Sequence, residues 1–570
     1  MFALAQVWLE SFRTDKADVE SRHSLHLAAA RLRDSSQEHP VPAFHWEIEF
    51  PEVFSRENGG FDAFVGNPPF AGKNTISASS RHGFADWLKE VFKKAHGNSD
   101  LVAYFYRTAF QLLNSGGAFG LIATNSIGEG DTRTTGLKWI CDSGGTIYEA
   151  RRRIRWPGVA AVVVSVVHVK KSGDSQLRRL DGKPVPLITA FLFHRGGNED
   201  PFPLSSNTDK CFVGYGIYGP GFTFDDSHSD ASPIAEMERL LAQDSSNATR
   251  VFPYIGGQSF LNDPLLSHSR YVISFGQMTL EQAEQWPELL GIVRDKVKPY
   301  RDGLPPTNNS NRKRREFWWQ FGAFPKRLDT LIGDFETVMM HPFTSSHLAF
   351  GLIPASTIVA APHNTMLLNA MGSFAVLQSR THESWARFFG SSLKDDMRYT
   401  ASDCFDTFPF PVEHESNYLL EADGRNYYEL RSNLMIASEQ GLTKTYNRFH
   451  SPEEVDEGIL ELRRLHGLMD GAVLRAYGWD DLAESAAKSG FCEFLLDYEE
   501  EDDDSLSVGK KKSKKKKPWR YRWPDDFRDE VLARLLELNE QRHKEEVESA
   551  KAKTKPKAQK KADKMQGKLL

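Results

Sequence analysis

Cysteine is scarce and unpatterned: Cys141, Cys211, Cys404 and Cys492 are the only four in 570 residues. No two have the spacing of a disulfide framework or a structural zinc site, so a stapled scaffold is excluded and a reducing compartment is indicated. Long apolar runs are missing too; none reaches the roughly 18 residues of a membrane span. The opening "MFALAQVWLESFRTDK" lacks the charge, apolar core and cleavage pattern of a secretion signal. A soluble, cytoplasmic protein with no membrane partner is expected. His45, His168, His341 and His363 have no metal-ligand spacing, so core or hydrogen-bonding roles are expected and no metal. There is no internal repeat, and no carboxylate–lysine cluster that would suit a nuclease. The net charge of −6 averages over local runs of both signs and says little about partners.

What is present is enough apolar and aromatic material for two or three cores. Residues 1–39 read as a helical segment, with Phe2, Leu4, Trp8, Leu9 and Phe12 forming an apolar stripe. From 40 to 175 strands and helices alternate: "FDAFV" as a buried strand, and "DLVAYFYRTAFQLLN" (100–114) as a helix with Leu101, Tyr104, Phe105, Thr108 and Leu112 on one side. Gly116-Gly117 is expected to stop that helix before the strand "AFGLIAT" (118–124). "TIYEARR" (146–152) and "VAAVVVSVVHVKK" (159–171) suggest a closing hairpin. Short strands and irregular turns over 176–440 indicate a second, α+β domain. A helical segment follows over 441–498, with Val455, Ile459, Leu462, Leu465, Met469 and Val473 on one helix face. The acid–lysine block 499–518 reads as a disordered linker. A C-terminal helix is expected within 519–542, starting after "WRYRWP", and a disordered basic tail over 543–570. The class is α/β for the first domain.

The stretch that carries chemistry is "GGFDAFVGNPPFAGKN" (59–74). The amine of adenine is a poor nucleophile because its lone pair is delocalised into the ring. Two acceptors aimed at its two N–H bonds would free that pair, and the Asn67 side-chain oxygen and the Pro68 carbonyl can be those acceptors. Pro68 and Pro69 hold the carbonyl rigidly and remove competing donors. Phe70 offers a face for a purine, worth about 1–3 kcal/mol where bases stack on aromatic side chains. Ligands of open α/β sheets bind beyond the carboxyl ends of strands, and a base in duplex DNA would have to be flipped out to reach such a site. The same tetrapeptide also reads as a proline-rich turn after a strand.

The order of these elements resembles the second half of the catalytic domain of amino-group DNA methyltransferases of the adenine-N6 type. The resemblance rests on Asn67-Pro68-Pro69-Phe70, on "LLNSGGAFGLIATNSI" (112–127) and on "RWPGVAAVVVSVVHV" (155–169). "FHWEIEFPEVF", "SSLKDDMRYTASDCFDTFPFP" (391–411) and "WRYRWPDDFRDEVLARLLELNEQR" are similar to the large methylases of type IIG and IIL restriction systems and of BREX and DISARM-like phage defence. The resemblance spans roughly residues 40–540. It implies part of a class I, Rossmann-like methyltransferase domain over 40–175, a target-recognition domain over 176–440, and C-terminal helices. It implies that Asn67, Pro68, Pro69 and Phe70 grip a flipped adenine, that Trp156 stacks on the other face, that S-adenosylmethionine is the methyl donor and that double-stranded DNA is the partner.

One departure matters. The family's Gly-rich donor-binding turn should precede Asn67, and residues 1–66 contain none. The single G-x-G-x-x-G, Gly214 to Gly219, starts no helix and reads chiefly as a turn in the second domain. "FDAFV" would then lie at an open sheet edge, so a protein partner carrying the N-terminal half of the methyltransferase domain is expected. The alternatives are a DNA-recognition subunit without chemistry, or a methylase acting on RNA or protein glutamine. Two basic clusters are DNA-binding candidates. Arg312, Lys313, Arg314 and Arg315 stand beside Trp318 and Trp319, a mixture suited to phosphate and groove contact. Arg151, Arg152, Arg153 and Arg155 precede Trp156. Each also reads as a solvated charged turn or strand end.

Overall fold

The computed structural model describes residues 27, 30, 44–80, 83–156, 163–173, 177–393, 396–488, 490–496 and 519–566. Most of the expected helical segment 1–39 and the expected linker 499–518 lie outside these residues. The chain forms two compact units that divide between Glu199 and Asp200.

The first unit is built on a six-stranded sheet. Its strands are β1 (Phe61–Gly66), β2 (Leu113–Thr124), β3 (Thr146–Arg155), β4 (Val163–Lys170), β5 (Arg178–Leu180) and β6 (Lys183–Val185), in the spatial order β1-β2-β4-β3-β5-β6. β1 and β2 are parallel, and β4 lies antiparallel between β2 and β3. The carboxyl ends of β1, β2 and β3 therefore share one end of the sheet. The expected hairpin of β3 and β4 is present.

The crossover between β1 and β2 passes through α1 (Lys73–Ser79), α2 (Phe84–Val91) and α3 (Leu101–Leu112). Asp100 caps α3 by accepting from Val102 N at 2.8 Å. The face of α3 that meets the core cluster is not the expected one. Val102, Tyr106, Ala109 and Phe110 are buried there, at helical spacing, whereas Phe105 is exposed. Tyr106 anchors the helix on the sheet by donating to Leu121 O at 2.8 Å. β2 begins at Leu113, earlier than expected, because the glycine pair does not end a helix. It forms an irregularity in the β1–β2 register, with Gly116 at φ +91°.

β1 was expected to be buried, and it is not. It pairs only with β2 among the described residues, and Val65 is 92% exposed. Phe61 is met edge-on by Trp46 and Phe54 of two helical turns, Trp46–Glu49 and Pro51–Phe54, and by Phe50 between them.

The second unit holds two four-stranded sheets. One runs Ile358–Val359, Val251–Ile255, Arg270–Ile273, Thr223–Phe224; the other runs Gly351–Pro354, Thr337–His341, Asn364–Met366, Cys211–Val213. A short helix α4 (Asn309–Glu316) precedes a helical layer that includes α5 (Tyr418–Ala437) and α6 (Glu457–Ala476). α6 buries Ile459, Leu462, Met469 and Val473 as expected, but Val455 precedes the helix and is 80% exposed. Asp470 of α6 is buried with Arg380 at 2.6 Å. Residues 519–522 form a strand paired with Glu493–Leu496, so the final helix, α7 (Asp525–Gln566), starts after it. α7 buries Val531, Leu532, Leu535 and Leu536 and continues to 566, where an irregular tail from 543 was expected. No helix among the described residues is long and apolar enough to cross a membrane.

Candidate functional site

Asn67-Pro68-Pro69-Phe70 leaves β1 at the shared carboxyl end of the sheet. Pro68 is buried, Asn67 and Pro69 are exposed, and Phe70 is half-buried against the core that α3 and β2 build. Burial of Pro68 fixes the segment where proline already restricts φ, so the Asn67 side chain projects from a rigid base. No hydrogen bond within the described chain occupies that side chain. The segment is fixed at its far end as well: Ala71 N donates to Asp100 Oδ1 at 3.3 Å, and Leu101 N donates to Ala71 O at 2.9 Å.

Asp100 belongs to a polar layer behind the loop that the sequence reading did not find. Its backbone N–H donates to Thr132 Oγ1 at 3.1 Å, and Ser99 Oγ lies 2.7 Å from Thr135 Oγ1. Ser99 and Asp100 are both buried. "NSDL" just ahead of an apolar helix is the cap signature that could have revealed them. At the end of β2, Asn125 Oδ1 accepts from Ser165 Oγ at 2.9 Å, tying that carboxyl end to β4.

Trp156 directly follows β3 and is half-buried. It shares the sheet end with Asn67, three interstrand spacings away, about 14 Å laterally. The arginines before it divide by task. Arg152 is committed to Asp181, with Nε and Nη2 donating at 2.9 and 2.7 Å and its backbone N–H at 2.7 Å. The register shift between Arg151 and Ile154, with Arg153 at φ +52°, makes room for that contact. Arg151 is exposed, 3.6 Å from Glu149, and Arg155 is exposed at the strand end.

The second basic cluster forms α4. Arg312, Lys313 and Arg315 are exposed, and Arg314 is half-buried with Nη2 donating to Asn311 Oδ1 at 2.6 Å. The aromatic half of the expected cluster is not on the surface. Trp318 and Trp319 are each 7% exposed, and Trp319 Nε1 donates to Met278 O at 2.9 Å. They are core, because an indole buried this deeply needs its N–H satisfied and finds a carbonyl.

The described residues do not make a methyl-donor site. Ahead of β1 the described residues supply only the two aromatic helical turns, with no glycine-rich turn following a strand. Gly214 is spoken for by close packing: a Cβ there would lie 2.3 Å from Val359 O, and Gly214 N donates to His363 O at 2.8 Å. Among the described residues no group of His, Cys, Asp and Glu could hold a metal ion. His341 is buried between Phe350 and Tyr399, and burial lowers its pKa to about 3. None of the cysteines is an activated nucleophile. Burial pushes the thiols of Cys141 and Cys404 up to about 12 and that of Cys492 to about 11, and raises Cys211 well above its ordinary value.

Residues 2–140 match the Eco57I restriction-modification methylase, and residues 233–412 match the MmeI target recognition domain. The chain thus has a segment similar to a restriction-modification methylase, followed by one similar to a target recognition domain. The methylase segment contains β1, Asn67–Phe70, α3 and β2; the target recognition domain contains α4. DNA methyltransferase A of Bacillus subtilis strain 168 is 29% identical over 458 residues, 75% of this chain and 47% of that protein. The chain thus spans about half the length of the curated relative it matches. Among solved structures, the type IIL restriction-modification enzyme MmeI in complex with DNA aligns at a TM-score of 0.46 and 19% identity, over 80% of this chain and 60% of that one. The type IIG restriction endonuclease BpuSI aligns at 0.30 and 10% identity, over 75% and 55%.

Proposed function

We propose that this chain is the base-capturing and target-recognising part of a site-specific DNA methyltransferase of a restriction-modification system, acting on the N6 amine of adenine. The observation that carries the reading is the exit of Asn67-Pro68-Pro69-Phe70 from β1 at the carboxyl end of three like-directed strands. The two matched domains support it. In this reading a flipped adenine enters beside Asn67. The Asn67 Oδ1 and the Pro68 carbonyl each accept one N–H of the exocyclic amine, which localises the nitrogen lone pair away from the ring. The part of the Phe70 ring left open by the core holds one face of the base, and Trp156 closes on the other.

The donor, S-adenosylmethionine, supplies the methyl group and is assigned to a second polypeptide carrying the other half of the catalytic domain. That partner would pair along the outer edge of β1, where exposed Val65 is an apolar side chain with no covering among the described residues. α4 of the target recognition domain supplies phosphate contacts through Arg312, Lys313 and Arg315, and Arg151 and Arg155 supply them beside the flipped base. The lack of a donor site among the described residues favours a second reading, a recognition subunit without chemistry. Asn67→Ala decides between them. In the presence of the donor-binding partner, the variant should bind duplex DNA normally and lose methylation. Unchanged methylation of a susceptible duplex would reject the proposed role of Asn67.

A further inference from the structure

The glycine-rich loop that does not serve a donor has another use. Its Tyr218 is 52% exposed yet firmly seated. The Arg314 guanidinium carbon lies 5.1 Å from the ring centre. A Cβ at Gly216 would come within 2.8 Å of Tyr218 Cε2, and one at Gly322 within 2.5 Å of Tyr218 Cδ2 and 2.8 Å of Arg314 Cδ. Two glycines therefore form the floor under the ring, and a side chain at either would displace it. Tyr218 itself sits at φ +47°, a conformation that disfavours residues with a Cβ. A large aromatic held half-exposed in that conformation is strained, and strained residues concentrate at binding sites.

Buried Arg301 fixes this loop to the segment that follows α4. Its Nη2 donates to Ile217 O at 3.0 Å and its Nη1 to Gln320 O at 2.6 Å, with further bonds to Trp318 O and Phe317 O at 3.3 Å. Burial lowers the Arg301 pKa to about 10, so it remains charged at neutral pH. The platform is thus rigid, and Tyr218 is held beside Arg314 of α4. Among the described residues no carboxylate lies within 4.0 Å of Arg312, Lys313 or Arg315, so none of the three is in an ion pair there. Other cations of this unit, such as Arg239, Arg327, Arg425 and Arg464, do pair with carboxylates. An unneutralised cationic turn of helix beside a presented aromatic face fits a polyanion with flat rings.

We infer that Tyr218 is a contact to duplex DNA, its ring packing against the sugar–phosphate backbone while Arg312, Lys313 and Arg315 neutralise the adjoining phosphates. Arg314 and Arg301 are positioning residues for that contact. The inference rests on the DNA-binding reading of α4 and extends it to a loop outside residues 233–412.

The test is a fluorescence-anisotropy titration of labelled duplex DNA with the full chain, repeated over a salt series. Tyr218→Gly removes the ring and relieves the positive φ, so its melting temperature should equal or exceed that of the wild type. Its affinity should nevertheless fall about tenfold, with the salt slope unchanged because no charge is lost. Tyr218→Phe keeps the ring and should bind within about twofold of the wild type. Wild-type affinity in Tyr218→Gly, alongside weakened binding by Arg312→Gln/Lys313→Gln, would overturn the inference and leave the α4 reading intact. Failure of the wild-type chain to bind duplex DNA at all would overturn the α4 reading itself.

Discussion

Asp100 Oδ1 accepts from two backbone N–H groups at once: Val102 N at 2.8 Å, which caps α3, and Ala71 N at 3.3 Å, which holds the residue after Phe70. One carboxylate thus couples the start of a core helix to the loop that projects Asn67. The site does not depend on its prolines alone for rigidity.

Asp100→Ala should therefore have two separable effects. Loss of the cap should cost about 1 kcal/mol of stability, read as a lower melting temperature. Release of Ala71 should lower methylation by the complemented enzyme more than it lowers affinity for DNA. A variant that melts lower but methylates at the wild-type rate would remove Asp100 from the support of the site.

The basic cluster and the tryptophans beside it should part company on mutation. Arg312→Gln/Lys313→Gln should weaken duplex binding and reduce the slope of log K against log salt by about 2, with little change in stability. Trp319→Ala should instead cost about 3–5 kcal/mol of stability, because the ring is buried and its N–H is satisfied by Met278 O. A folded Trp319→Ala protein with selectively weakened DNA binding would contradict the assignment of Trp319 to the core.

Acid should destabilise the second unit well above the carboxylate range. Burial lowers the pKa of His341 and His382 to about 3, and of His347 to about 4, with Arg520 adding to the effect on His347. These groups are neutral when folded and protonate near pH 6.5 when unfolded, so the unfolded state binds more protons below that pH. Stability is then fully present above about pH 6.5 and declines as pH falls toward 4, by about 2 kcal/mol for each such group at pH 5. Melting curves between pH 8 and pH 5 should show this fall. Replacing His341, whose ring lies between Phe350 and Tyr399, with Phe should reduce the pH dependence.

Local chemistry was legible in the sequence wherever a few neighbouring residues determined it. The strand before Asn67, the β3–β4 hairpin and the start of α7 after "WRYRWP" all follow from short-range pattern. What was misread depended on distant partners. The α3 stripe was assigned to Phe105 because apolar residues nearly surround that helix, and only the sheet decides that Val102, Tyr106 and Phe110 face inward. Trp318 and Trp319 looked like surface rings beside arginines; the carbonyl that satisfies Trp319, Met278 O, lies 41 residues away in sequence. β1 looked buried because its residues are apolar, yet burial requires a neighbouring strand that the described residues do not supply. Tyr218 was passed over because Gly214 to Gly219 read chiefly as a turn, whereas Gly216 and the distant Gly322 leave room for a ring and an arginine.

The most direct test of the central claim is the identity of the methylated atom. Duplex DNA would be incubated with S-adenosylmethionine, this chain and the donor-binding half of the catalytic domain, then digested to nucleosides and analysed by mass spectrometry. The account predicts N6-methyladenine in the wild-type reaction and its reduction by about 10²–10³ with Asn67→Ala, the loss expected on removing one positioned polar group from a transition state. Methylation confined to cytosine, or N6-methyladenine at the wild-type level with Asn67→Ala, would contradict it.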